Sequence, residues 1–433
     1  MILLLFIVYE GFLILPEKMV VHPGVFRMSD SILLIIPLFF FFFSKSVIGS
    51  FNRFREESFL ILSACALVFL SPLMAWCFFD QPYLTGLLLM RHNLCYLIFF
   101  MFVLLLRSRD QLDNFLRLLT FLLGVYIVIL LVTKYFPTLG LVRFREGYYG
   151  QEGRLMRFGE NRLYFPYANV AVLLYCFTLA GILHPPRKMS ILRKTSALVF
   201  ILIFLFAILS TFIRMLFVSL LFTTVFALFT SNRRMLRNMA IALTIVIICL
   251  EGLAVAVSQR GIPFIEESKL GKIILQSGKL PPDTGRMFQV SMYMNNFIKS
   301  PLTGVGTIKS GITHNEIIRT YRKYGFFNAT DIGYLKMAAE SGLIGIAWVA
   351  WFYSYLYRRG KETMKRAIAL GDEPMAEAVA RGLRYFLIYL AISGLTFPHF
   401  VYFSFIPAIV LALAIMAVTR ESLRFRTAAP ATA

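Results

Sequence analysis

Apolar residues fall in long runs, separated by short basic stretches, along nearly the whole chain. Runs that could cross a bilayer lie at 2–15, 30–43, 58–79, 84–106, 115–136, 167–184, 195–212, 215–230, 239–258, 332–357, 382–398 and 399–419. This pattern predicts an all-α, polytopic transmembrane helical protein of about twelve spans. Met1 to Pro16 has neither a basic leading region nor a small-residue cleavage site, so it is expected to be a retained first helix. The runs around 195–230 are split only by Ile213 and Arg214. One continuous helix there would be about 54 Å long, too long for one crossing, so a hairpin or a broken pair is expected.

Basic residues in the short connections alternate from side to side. One side carries Lys45, Arg53 and Arg55; Arg107 and Arg109; Arg187, Lys188, Arg193 and Lys194; and Arg233, Arg234 and Arg237. It also carries the 358–381 connection and a tail with Arg420, Arg424 and Arg426. That side is expected to be cytoplasmic. The opposite short connections, 80–83 and the one after His399, have no Lys or Arg. Two outer connections, 137–166 and 259–331, are strongly basic nonetheless. Long loops translocate whatever their charge, so insertion permits this excess without requiring it. An anionic ligand on the outer face would require it.

The chain therefore divides into 1–258 (nine spans with the basic loop 137–166), a large outer loop at 259–331, and 332–433 (three spans and a tail). A loop of that length inside a compact protein is usually functional. Met287, Val290, Met294 and Phe297 or Ile298 recur every three to four residues, which predicts a helix from Arg286 to Lys299. Pro301, Gly304 and Gly306 end it in a tight turn.

Composition narrows the class. Hydrophobic residues make up 58% of the 433 and the mean hydropathy is +0.73, which excludes a water-soluble domain. Charged residues are 15%, yet 44 basic against 23 acidic residues leave a net charge of +21. Because these charges punctuate apolar runs, they suit anionic membrane lipids and one anionic ligand, and no nucleic acid is expected as a partner. Cys65, Cys77, Cys95, Cys176 and Cys249 lie in apolar stretches without metal-ligand spacing and are expected to be core residues.

Several residues are placed to carry chemistry. Arg286 opens the loop helix behind Asp283, Thr284 and Gly285, where exposed N–H groups and a guanidinium fork would converge on phosphate oxygens. Arg214 sits amid apolar residues at the outer end of two spans, where a charge is costly unless it faces a cavity or the head groups. Arg91, with His92 and Asn93, falls in the outer half of the fourth span; Arg91 is the functional candidate and the other two suit structural hydrogen bonds as well. Glu10 and Glu251, also in apolar segments, are expected to be structural. In 137–166, Arg143, Arg145, Arg154, Arg157 and Arg162 interleave with Tyr148, Tyr149, Phe158 and Tyr164. Such a mixture fits a glycan phosphate and equally an interfacial aromatic belt. His314, Glu316, Asp331 and Glu340 are the acid/base candidates, and nothing in their spacing singles one out. No metal-ligand cluster and no cofactor motif is present in the sequence.

Three segments, STFIRMLFVSL, GRMFQVSMYMNNFIKSPLTGVG and DIGYLKMAAESGLIGI, occur in that order over about 210–348. Together they resemble the O-antigen ligase/polymerase superfamily of bacterial envelope enzymes. The resemblance implies a metal-independent membrane glycosyltransferase, without cofactors, in the bacterial inner (cytoplasmic) membrane with its site facing the periplasm. It implies an undecaprenyl-diphosphate-linked saccharide as donor, Arg214 and Arg286 on the leaving diphosphate, and His314 or Asp331 in proton transfer. Substrate contacts are then expected from Arg91, Arg145, Arg154, Arg157, Tyr148, Tyr149 and Glu340. A chain-length regulator and a flippase of the same pathway are the implied protein partners. Ligases of the family place a His-Asn pair nine residues before the Glu of Glu-x-Gly-Leu-Ile-Gly; here Asp331 and Ile332 stand there, and His314-Asn315 lies earlier. That departure favours a polysaccharide polymerase (of O-antigen, capsule or exopolysaccharide) over an O-antigen ligase acting on lipid A-core. A lipid-linked saccharide transporter would instead show repeated halves, which are not visible. A structural subunit of an export complex would use the basic loops to dock a partner.

Overall fold

The computed structural model describes residues 31–136, 156–157, 160–161, 168–185, 190–211, 214–231, 286–309, 320–321, 323, 332–370, 374–397, 399–400 and 405–428, together with Leu5 and Asn238. It is a helical bundle. The helices are α1 (Ser31–Phe42), α2 (Ser44–Arg53), α3 (Arg55–Phe79), α4 (Tyr83–Met90), α5 (Ile98–Leu105), α6 (Arg109–Tyr135) and α7 (Ala168–Leu183). They continue with α8 (Ile191–Ser210), α9 (Arg214–Phe229), α10 (Arg286–Lys299), α11 (Gly333–Ala369), α12 (Pro374–Ser393) and α13 (Ile406–Ala428). A 3-10 segment, Arg91–Leu97, joins α4 to α5 within one span. One antiparallel ladder, β1 (Met156–Arg157) and β2 (Glu160–Asn161), lies in the basic 137–166 connection.

Five of these helical segments are long and apolar enough to cross a membrane: α3, α4 through α5, α6, α11 and α13. A sixth would be α1 with α2, which are bent by 91° at Phe43. The expected count of about twelve is thus not reached among the described residues. Helices α7, α8 and α9 are apolar but short in their apolar parts, and α12 carries Glu377, Arg381 and Arg384. The expected spans 2–15 and 239–258 lie outside the described residues. The 358–381 stretch is largely helix, since α11 runs on to Ala369 and α12 begins at Pro374. Its charges read as loop, yet they pair along the helix, as Arg359 does with Glu362 at 2.6 Å.

Local signals explain the ends. Ser108 and Gln111 form a reciprocal capping box that starts α6. Asp80, in the left-handed region at φ 52°, ends α3 with its N–H on the Trp76 carbonyl. Helix α13 is the axis of the bundle: from Ile406 to Ala417 its side chains are fully buried. Its Ala-rich run (IPAIVLALAIMAV) lets α5, α6, α7, α11 and α12 pack closely around it. The outward faces of α3 and α6 expose Phe59, Phe69, Trp76, Leu118 and Phe121, as lipid-facing helices do. Cys65, Cys95 and Cys176 are buried as expected, but Cys77 is exposed on that outward face of α3. A lipid-facing position is as apolar as a core one, so sequence alone does not separate them.

Four helices, α2, α3, α11 and α13, bring charged residues together at one end of the bundle. Arg53 bonds Glu421 at 3.1 Å, Arg359 grips Glu56, and Arg420 lies 2.9 Å from Glu57, both buried. Tyr355 accepts a second bond from Arg420 at 3.2 Å. Removing one member of the buried pair leaves the other charge without compensation, which costs about 3–5 kcal/mol. Arg420→Met is therefore expected to lower the melting temperature of the detergent-solubilised protein markedly. Glu57→Leu combined with Arg420→Met should recover most of that loss, and equal melting of the single and double variants would refute this account.

Candidate functional site

The opposite end of the bundle holds the segments singled out in the sequence. Helix α10 forms over Arg286–Lys299, as its periodicity predicts. The face it buries is the other one: Met292, Tyr293 and Asn296 are buried, whereas Val290, Met294 and Ile298 are exposed. Asn296 satisfies its own amide on the Met292 carbonyl at 2.8 Å. Met292 and Tyr293 pack with Val305, Ile308, Ile332, Ala339 and Ala75 in a small core separate from the main one.

After Ser300 the chain makes a tight turn and runs into a break in α11. Gly342, at φ 60° and ψ −157°, interrupts that helix. The peptide groups released by the break are taken up by the turn. Val305 N–H donates to the Ala339 carbonyl at 2.8 Å and Gly306 N–H to the Glu340 carbonyl at 3.1 Å. In return Leu343 N–H donates to the Pro301 carbonyl at 2.8 Å and Ile344 N–H to the Leu302 carbonyl at 3.1 Å. Two motifs that look independent in the sequence are thus one interlocked unit, whose glycines permit the close approach.

Side chains finish the lock. Thr307 N–H donates to Ser71 Oγ at 2.9 Å, and Ser71 Oγ donates to Thr307 Oγ1 at 3.0 Å. Thr307 Oγ1 donates onward to Glu340 Oε2 at 3.1 Å. Gln81 closes the other side, donating to the Thr307 carbonyl at 3.1 Å and accepting from Lys309 N–H at 2.7 Å. Lys336, one turn before Glu340, brings its ammonium to 3.7 Å from Glu340 Oε1; that is an ion pair by distance but no hydrogen bond. Both partners are buried, Glu340 at 1% exposure. Glu340 therefore faces the lock and not an open cavity.

A second junction lies where α6 and α8 end. Lys134 donates to the Ser210 carbonyl at 3.2 Å, which caps the C-terminal end of α8. Tyr135 Oη lies 3.2 Å from Ser210 Oγ and its ring stacks on Phe206. The end of α6 that leads into the basic connection 137–166 thus packs on the end of α8 that leads to Arg214. A third junction fixes the start of α11: Gly333 N–H donates to the Leu395 carbonyl at 3.2 Å and Tyr334 N–H to the Gly394 carbonyl at 3.0 Å.

The candidate residues fall on this end as follows. Arg214 is the first residue of α9 and Arg286 the first of α10, and the first N–H groups of a helix have no partner within the helix itself. The side chains of both arginines lie outside what the structure describes. Arg91 opens the 3-10 segment and bonds the Leu88 carbonyl. Arg157 is in β1, described for its backbone alone. His314, Asp331, Arg145, Arg154, Tyr148 and Tyr149 lie outside the described residues; Asp331 directly precedes Ile332, which is buried in the small core. Among the described residues no three His, Cys, Asp or Glu side chains come together as a metal ion would need. The sequence reading missed Ser71, Gln81 and Lys336, and its one available signal for Ser71 was a polar residue before Pro72 in an apolar span.

Residues 168–350 match the family model described as O-antigen ligase. No match is found among curated proteins. The matched stretch runs from α7 to the middle of α11, so it holds both helix-leading arginines, the glycine turn and the Gly342 break. Ser71, Gln81 and the 394–397 turn, which complete the junctions, come from outside it.

Proposed function

We propose that the chain, whose segment 168–350 matches the family model described as O-antigen ligase, is a polysaccharide polymerase of the O-antigen ligase/polymerase superfamily. A ligase/polymerase-type function in general follows from the family. In the proposed reaction an acceptor hydroxyl of one oligosaccharide repeat unit attacks the anomeric carbon of another, which is carried on undecaprenyl diphosphate. The sugar–phosphate bond breaks, the glycosidic bond forms, the proton passes to an outer-face base, and the diphosphate leaves with the bond electrons. Arg214 and Arg286 bind that diphosphate, and Asp331 takes the proton. The site faces the periplasm from the inner membrane.

The observation that carries this reading is the placement of both arginines at helix N-termini. Each position combines a guanidinium with the first N–H groups of a helix, an arrangement that favours charge as it develops on phosphate oxygens. Lys134 adds positive charge at the same end, and the basic connection 137–166 follows it in the sequence. The use of Asp331 where ligases of the family have histidine supports polymerase over ligase. Because the arginines neutralise the leaving group, the reaction is proposed to run without a metal ion.

Purified protein given undecaprenyl-diphosphate-linked repeat units in excess EDTA is expected to yield a ladder of polymers. Transfer of preformed polymer to lipid A-core with no laddering would make it a ligase. A strict requirement for an added divalent ion would overturn the metal-free step.

A further inference from the structure

Helix α10 presents three faces, and the bundle covers one of them. At about 100° per residue, Met292, Tyr293 and Asn296 share one arc, and all three are buried. Val290, Met294 and Ile298 share a second arc and are exposed. Ser291, Asn295 and Lys299, exposed as well, make up the third. A surface helix of a soluble domain has two faces, one apolar and buried, the other polar and wet. Here an apolar stripe stands beside the polar arc, outside the core, and Ile298 is 67% exposed.

The stripe does not end with the helix. Leu302, in the turn that follows, is 63% exposed, and its carbonyl accepts the Ile344 N–H at 3.1 Å. Ile344, with Leu343 and Ile346, lies on the exposed apolar side of α11, a helix long and apolar enough to cross a membrane. Leu302 thus leads from the stripe on α10 to a surface that faces lipid. The level of α10 is set independently. Met292 and Tyr293 pack in the small core with Ala75, near the end of α3, and Phe79 packs against the same core. At this level Trp76 and Phe78 of α3 are exposed, and so is Tyr83 at the start of α4. Trp and Tyr gather where a membrane meets water.

We infer that α10 is an interfacial helix, and that the partner of its stripe Val290, Met294 and Ile298 is membrane lipid. The stripe sinks into the apolar part of the leaflet at this end of the bundle, while Ser291, Asn295 and Lys299 face head groups and water. A helix with separate apolar and polar faces lies in the plane of the interface in this way. Its third face holds it against the bundle, so the helix is fixed between protein and lipid. A stretch that reads as part of an outer loop is then part of the membrane-bound body. The inference uses no step of the proposed reaction and stands or falls apart from it.

The test places nitroxide labels on the full chain, purified and reconstituted alone in vesicles of phosphatidylethanolamine and phosphatidylglycerol. In a background whose five cysteines are replaced by alanine, Val290→Cys, Met294→Cys and Ile298→Cys report the apolar arc. Ser291→Cys and Asn295→Cys report the polar one. Collision with oxygen, which concentrates among acyl chains, is compared with collision with a nickel chelate, which stays in water. The oxygen-to-nickel ratio is expected to be several-fold higher along the apolar arc than at the two polar positions. Equal ratios on both arcs would put the stripe in water and overturn the inference. Labels on the apolar arc that are immobilised and shielded from both reagents would overturn it too, since protein, a second copy of the chain included, would then cover the stripe. If the cysteine-free chain does not fold, Met294→Trp and Asn295→Trp in the natural chain decide the same point. Lipids brominated on their acyl chains should quench the tryptophan at 294 more strongly than the one at 295, and equal quenching would overturn the inference.

Discussion

Arg286→Lys and Arg214→Lys are each expected to lose most polymer while still accumulating in the membrane. Lysine keeps the charge but replaces a planar fork of donors by a point charge, so it cannot hold two diphosphate oxygens at once. Loss of one donor aimed at a developing oxyanion costs on the order of 3–4 kcal/mol in the transition state, about a hundred- to a thousandfold in rate. Arg→Ala should be worse, since the charge also goes. The helix N-terminus behind each residue would still offer its N–H groups, so a residual rate is expected from every single variant. Arg319→Lys, in the same long loop, should change little. The comparison needs equal membrane levels, because a misfolded variant would mimic a catalytic defect. Near-normal polymer from both Lys variants would reduce these arginines to helix anchors.

The parts of this end that were legible in the sequence are those set by local rules. Helix α10 was legible because three-to-four-residue spacing and a Pro/Gly stop are local signals, and its described bounds coincide with that reading. Which face it buries was not legible. In a soluble protein the apolar stripe Val290, Met294 and Ile298 would point inward, but here that stripe is exposed and the buried face carries Tyr293 and Asn296. A membrane protein has an apolar surroundings to satisfy as well as a core, so hydrophobic periodicity marks a face without saying what covers it.

The partners of the glycine turn were hidden for a different reason. Thr307 meets Ser71 and Gln81 across more than two hundred residues of chain, and a lone serine in an apolar span carries no sign of its partner. The run 332–357 read as one unbroken membrane helix; the helix begins at Gly333, as that reading has it, but breaks at Gly342. A single glycine in a helical pattern is usually tolerated without a break. Only the arrival of the Pro301–Thr307 turn, with its own N–H and carbonyl groups, makes a broken helix satisfactory there.

That dependence makes the glycines the most sensitive positions outside the reacting groups, and Gly306→Ala and Gly342→Ala are expected to disable the protein. Both residues have positive φ, 81° and 60°, which costs a non-glycine residue about 1–2 kcal/mol. Neither has room: a Cβ on Gly306 would overlap the Ser71 carbonyl and Ala75 N, and one on Gly342 would overlap the Leu302 carbonyl. These neighbours are backbone, so relief requires moving α3 or the turn itself, at about 1–3 kcal/mol more for overpacking. The sum, roughly 2–5 kcal/mol, is a large part of the stability of an ordinary domain. Any movement that relieves the clash also shifts the end of α10, the helix that Arg286 begins, so polymer should fall further than the amount of folded protein does. Gly49→Ala and Gly181→Ala are the matched controls, since nothing lies within 4 Å of a Cβ at either. Both sit inside helices, where alanine gains about 0.5–1 kcal/mol over glycine, so their melting temperatures should hold or rise slightly. Melting of the detergent-solubilised variants, followed by polymer yield at equal folded protein, separates the two effects. A Gly306→Ala protein that melts and polymerises like its controls would mean that the turn does not depend on this close approach, and the lock would lose its part in holding the site.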